Sequence, residues 1–319
     1  MLSEFFKQPF PMIEEAKKAK RKPNIFMLII FCILIYLVCS LIGSLFLFIY
    51  VALVASSSGL PDSTLLSEDF NMLSLLSADE INIVSLMITA AVIAGFLLFC
   101  RYYEKRYFTS MGFTRKHAVS QYLIGLGIGA ALMIVVVALL SVTGSLTFAS
   151  ISWSVLPVVL LTFIAYMIQG ASEEIMLRGF LMTSIAARTN KVIIGVVVNT
   201  VIFALLHLGN PNIGPISFIN LLLFGTFMSL YVLKTKNLWG ACALHTMWNF
   251  MQGSVFGISV SGNDVASSIF HFTANKDLWF LNGGAFGTEG GLIVTVILGA
   301  ALAGLIWWIQ KDSKQSSSN

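Results

Sequence analysis

Eight runs of about twenty predominantly apolar residues constrain this chain more than any other feature, because a helical run of that length crosses the hydrocarbon core of a bilayer. They fall near Asn24–Ala55, Ile81–Cys100, Tyr122–Val142, Ser154–Thr183, Val192–Leu208, Ile216–Leu233, Leu238–Phe256 and Gly291–Ile309. Inside hydrocarbon each backbone N–H and C=O must be paired within its own segment, which selects helices for runs of this length. The expected fold is therefore all-α, a polytopic transmembrane helix bundle of about eight spans. Composition agrees: 57% of the 319 residues are hydrophobic and 11% charged, against about 25% charged in soluble domains. The first run far exceeds the apolar core of a signal peptide, about 7–15 residues, so it is read as a retained span.

Lysine and arginine set the expected orientation. The N-terminal arm holds Lys7, Lys17, Lys18, Lys20, Arg21 and Lys22, and the following connection, Ser56 to Glu80, holds none. Arg101, Lys105, Arg106, Arg115 and Lys116 lie in the second connection, Arg188 and Lys191 in the fourth, and Lys234 and Lys236 in the sixth. The third and fifth have neither residue type, and the long seventh has only Lys276. This alternation places both termini in the cytoplasm and supports the count of eight. Three regions are expected: a cytoplasmic basic arm (1–23), a transmembrane domain (24–309) and a polar, disordered tail (310–319). The arm is read either as lying on the membrane, with Phe5, Phe6 and Phe10 dipping in, or as solvated. The expected partners are the bilayer and a peptide or protein substrate; no phosphate loop, repeat or nucleic-acid motif is present. Cys32, Cys39, Cys100 and Cys242 sit in apolar runs without zinc or C-x-x-C spacing and are read as packing residues.

A charge at the centre of a membrane helix costs about 2.5–3.5 kcal/mol on insertion scales, so such residues mark a cavity or a partner. The fourth run contains Gln169, Ser172, Glu173, Glu174 and Arg178; the fifth ends with Phe203 and His207; the seventh holds His245 and Asn249. Glu174 and Arg178 are spaced i,i+4 and can pair on one face. Glu173 lies about 100° around the helix, which suits one structural carboxylate beside one catalytic one. A carboxylate and two imidazoles from three helices can position a water and stabilise an oxyanion. Glu173, His207 and His245 can equally supply a His₂Glu zinc site with an open position. H-E-x-x-H is absent, so this is not an ordinary zincin, and cofactors stay open between none and a divalent metal such as zinc.

Glu173-Glu174-Ile175-Met176-Leu177-Arg178 fits E-E-x-x-x-R, Phe203 to His207 fits F-x-x-x-H, and His245 to Asn249 fits H-x-x-x-N. In this order and helical setting the motifs resemble the CAAX protease and bacteriocin-processing family, also called the abortive-infection family, which includes the Ras-converting endopeptidase. The resemblance covers a motif-bearing core at about 154–256. It implies an intramembrane endopeptidase in which Glu173 activates the attacking water, His207 assists, His245 and Asn249 stabilise the oxyanion or place the water, and Glu174 and Arg178 support them. Phe203 belongs to the same motif set. The implied substrates are bacteriocin precursors, exported peptides or lipid-anchored chains; cleavage is expected near the cytoplasmic face, and the compact chain favours a bacterial plasma membrane over the endoplasmic reticulum. The alternatives are a non-enzymatic bacteriocin-immunity or scaffold protein of the same family and a proton-coupled transporter. One geometric demand accompanies the enzyme reading. Counted from the expected cytoplasmic ends, Glu173 and His245 lie about 10–15 Å deep, but His207 lies about sixteen residues in, at 1.5 Å each. A tilted fifth helix, or an inward turn at Gly209-Asn210-Pro211, is needed to bring them level.

Overall fold

The computed structural model describes residues 2–60, 67 and 71–317. Among them, seven helices are long and apolar enough to cross a membrane, and the chain is an integral membrane protein. These are α1 (Ile25–Ser57), α2 (Ala78–Glu104), α3 (Ala118–Val142), α4 (Leu156–Thr189), α5 (Val192–Gly209), α6 (Pro215–Thr235) and the C-terminal helix α8 (Leu292–Ser317). The other expected span is α7 (Trp239–Phe250), which continues as a π-helix over Met251–Val255. Its seventeen or so residues rise about 25 Å at most, short of the roughly 30 Å hydrocarbon core. It is buried along most of its length, so it is an inner helix wrapped by the others.

The most apolar helix lies at the rim. Leu34, Leu37, Leu41, Phe46 and Phe48 of α1 are exposed, as lipid contact requires. The centre is built by α7 between α3 and α4, and small residues allow the close approach. A Cβ on Gly129 of α3 would lie 2.6 Å from the Leu244 carbonyl oxygen, and one on Gly170 of α4 would lie 2.8 Å from the Thr246 nitrogen.

Four features differ from the sequence expectation. First, α4 runs unbroken to Thr189, beyond the apolar run that marked its end. Second, the N-terminal arm docks on the bundle. Its helix Pro11–Lys17 packs its apolar side against the protein, with Phe10, Met12, Ile13 and Ala16 buried. Lys20 N–H donates to the Glu104 carbonyl at 2.9 Å, and Glu104 in turn pairs with Arg106 (2.8 Å) and Arg188 (3.2 Å). Third, two strands, β1 (Leu146–Ile151) and β2 (Phe270–Ala274), join the third and seventh connections as an antiparallel pair with an irregularity between Phe148 and Ser150. Fourth, α8 spans Leu292–Ser317, so the tail expected to be disordered continues the helix that far; its last two residues, and parts of the connection between α1 and α2, lie outside the described residues. All four cysteines are buried and free.

Candidate active site

The polar residues of the fourth span sit where α4 changes its winding. The helix is α through Glu174 and π from Ile175 to Met182; π stretches occur mostly as local insertions at functional sites. Glu174 and Arg178 are completely buried, whereas the Glu173 side chain keeps 22% of its surface open. The two neighbouring carboxylates thus have different surroundings.

Glu174 is the hub. Its Oε1 accepts from Arg178 Nη1 at 2.8 Å and from His245 Nδ1 at 2.9 Å. Arg178 Nη2 donates to the Gly225 carbonyl of α6 at 3.2 Å. The guanidinium also stands 4.9 Å from the centre of the Phe203 ring, within cation–π range. One buried group of charges therefore ties α4, α5, α6 and α7 together. Because the carboxylate accepts, His245 Nδ1 carries a proton, and a neutral ring then presents the Nε2 lone pair. That Nε2 lies 3.9 Å from Glu173 Oε2. A carboxylate behind an imidazole fixes its tautomer and orientation.

Glu173 is held from the other side. Gln169, one turn earlier on α4, donates its amide to Glu173 Oε1. Gln169 Oε1 accepts from Asn249 Nδ2 at 3.0 Å. Asn249 therefore reaches the carboxylate through Gln169 while also lining the cavity with His245. Glu173 Oε2 is left without a hydrogen-bond partner among the described residues.

His207 closes the end of α5. Its Nδ1 donates to the Phe203 carbonyl at 2.8 Å, leaving Nε2 as an acceptor. Phe203 thus packs between the two histidines, with ring centroids 4.6 Å from His207 and 6.4 Å from His245.

The extra length of α4 levels the site. Glu173 lies about 24 Å from Thr189 and His207 about 22 Å from Val192, at 1.5 Å per residue. His245 is only about 10 Å from Leu238 on the same scale, but Leu238 is itself sunk, completely buried against Gly179 of α4. Gly179 stands about 15 Å in from Thr189. Counted along their helices, Glu173 and His207 lie at similar distances from the basic ends, and all three side chains line one cavity.

Glu173, Phe203, His207, His245 and Asn249 line one cavity of about 630 Å³; Glu174 and Arg178 lie behind its wall. Residues that the motifs did not mark also line it, among them Tyr166, Gln169 and Glu289. Glu289, in the long seventh connection, accepts from Trp248 Nε1 (3.1 Å) and from Ser261 N and Oγ (both 2.8 Å). It clamps that connection onto α7. A lone acid in the glycine-rich stretch Gly283–Gly291 was its only sequence signal.

Among the described residues, no three His, Cys, Asp or Glu side chains gather to hold a metal ion. The His₂Glu set of Glu173, His207 and His245 is not assembled as a ligand sphere among the described residues.

The fold and the site define a polytopic helical membrane protein with a polar cavity walled by motif-bearing helices. Residues 152–251, from just before α4 to the start of the π-helix after α7, match the family described as type II CAAX prenyl endopeptidase Rce1-like. Through this segment, about a third of its length, the chain is similar to that family. No curated protein and no solved structure matches the chain.

Proposed function

We propose that the chain is an intramembrane endopeptidase that hydrolyses a peptide bond with a water activated by Glu173. The observation that carries this reading is the pair formed by the unpartnered Glu173 Oε2 and His245 Nε2, 3.9 Å apart at the cavity wall. That gap lets one water sit at about 2.8 Å from both. Glu173 takes a proton from this water as the oxygen attacks the carbonyl carbon, and returns it to the leaving amine as the C–N bond breaks. Gln169 and Asn249 hold the carboxylate in position during both transfers. His207, its Nδ1 committed to Phe203, offers Nε2 to the second hydrogen of the water. In its imidazolium form, His245 donates through Nε2 to the tetrahedral oxyanion. Glu174 and Arg178 stand behind it, and in that form two carboxylates, one guanidinium and one imidazolium sum to zero charge. The Lys and Arg distribution further supports cytoplasmic termini.

The test is cleavage of a peptide library by purified protein in detergent, comparing wild type with Glu173→Gln, His207→Ala and His245→Ala. Cleavage by the wild type and its loss in all three folded variants is expected. Equal cleavage by all four proteins would remove the assignment.

A further inference from the structure

The cavity opens among helix ends that belong to one face of the bundle. Ala78, Ile81 and Asn82 line it from the start of α2, Asn210 and Pro211 from the end of α5, and residues 260–265 from the connection after α7. The described residues of segments 71–80, 143–155, 209–215 and 257–291 form connections on this face. Together they carry five acids, Asp79, Glu80, Asp264, Asp277 and Glu289, and a single Lys, Lys276. Asp264 is on the cavity wall itself, and Asp79 stands nearby, accepting from Ser267 Oγ at 2.7 Å.

The opposite, basic face is shut. Between the site and that face, all of Ile175–Met182 is buried. Leu238 and Met111 are completely buried, and Met12 of the N-terminal arm fits beneath Gly112. Phe10 and Ile13 of the arm are buried in the same layer. The arm is thus a plug across the basic end of the bundle.

Basic connections stay in the cytoplasm. Given that and the proteolytic reading above, on which this step rests, we infer that the cavity takes its substrate from the extracytoplasmic side. The substrate is an exported or outward-facing polypeptide with basic residues flanking the cleaved bond. An acidic rim over a low-dielectric cleft concentrates cationic ligands and raises their association rates. A lipid-anchored chain end presented on the cytoplasmic face is on the wrong side of the plug.

Sidedness is read without any activity. All native cysteines are buried, so Ala266→Cys beside the cavity wall, or Thr273→Cys on β2 as a second reporter, provides a single reactive thiol on the acidic face. Lys20→Cys reports the basic face. In intact cells, a membrane-impermeant maleimide should label the first two and should reach Lys20→Cys only after permeabilisation. The reverse pattern overturns the inference, even if the detergent enzyme cleaves peptides. Conversely, outward labelling with no cleavage in detergent sinks the protease reading and leaves the sidedness intact. For substrate class, peptides with Lys or Arg flanks are compared with Asp or Glu flanks in detergent. At low ionic strength the basic peptides should have a kcat/KM about 10-fold or more higher, with the gap closing as salt screens the rim. Equal rates, or preference for acidic peptides, overturn the substrate class.

Discussion

Two buried groups of charges lie at different depths in this bundle, and the difference between them separates a scaffold from a site. Near the basic face, Glu104 pairs with Arg106 and Arg188 and receives the backbone of the N-terminal arm. Deeper in, Glu174 pairs with Arg178 and His245. Both carboxylates are completely buried. Around Glu104 the partners are two guanidiniums, which do not exchange protons in ordinary aqueous conditions, and no cavity residue joins them. Around Glu174 one partner is an imidazole, whose far nitrogen faces a second carboxylate with a free oxygen at a cavity wall. A buried ion pair alone is weak evidence of function. A buried pair that orients a proton-transferring group toward open space is a stronger one.

The comparison breaks if the two groups respond alike to mutation. Glu174→Ala should have the largest effect of the structural changes. It strands Arg178 and releases His245, and breaking a buried pair costs about 3–5 kcal/mol, so both the thermal midpoint and the activity per folded molecule should fall. Glu104→Ala should lower the midpoint by a comparable or smaller amount, since the Arg188 side chain keeps 10% exposure and can reach water. Activity per folded molecule, measured after correcting for the folded fraction, should remain near wild type. Loss of that activity in Glu104→Ala would merge the two groups into one.

Smaller effects sharpen the account. Gln169→Leu removes the donor to Glu173 and strands Asn249. A misplaced catalytic group, displaced by as little as 1 Å, costs up to about 10²-fold, so kcat should fall with little change in KM. Asn249→Ala should reproduce part of that loss and add little in the double variant, because both act along one chain of hydrogen bonds. Additive losses would show that Asn249 touches the substrate independently. Smallest of all, Phe203→Leu removes a cation–π contact worth about 2 kcal/mol when desolvated, and a modest drop in thermal midpoint should register it.

The sequence exposed the spans because lipid demands an unmistakable signal of length and apolarity. It exposed the motif residues because charges in such runs are costly and few. The same hydropathy misjudged what was central. The first span is the most apolar, yet only 17% of its best membrane window is buried, against 67% for α6. In lipid, apolarity marks the rim as readily as the core. It also ended the fourth span too early, since Arg188 looked like a boundary when it is the partner of Glu104 inside a continuing helix. The Gln169–Asn249 link, the Glu289 clamp and the docked arm join residues far apart in the chain. Such contacts leave no periodic trace, and only the assembled helices reveal them.

The central claim is that two adjacent glutamates on one helix do different work, and Glu173→Gln tests it most directly. Turnover and thermal midpoint should be measured on this variant and on Glu174→Gln in the same detergent. Glu173→Gln keeps the shape of the side chain and strands no charge, so its midpoint should match wild type while turnover falls by about 10²–10⁴-fold, the usual contribution of a general base. A stable, inactive Glu174→Gln beside an unstable Glu173→Gln, or wild-type turnover in Glu173→Gln, would contradict the account.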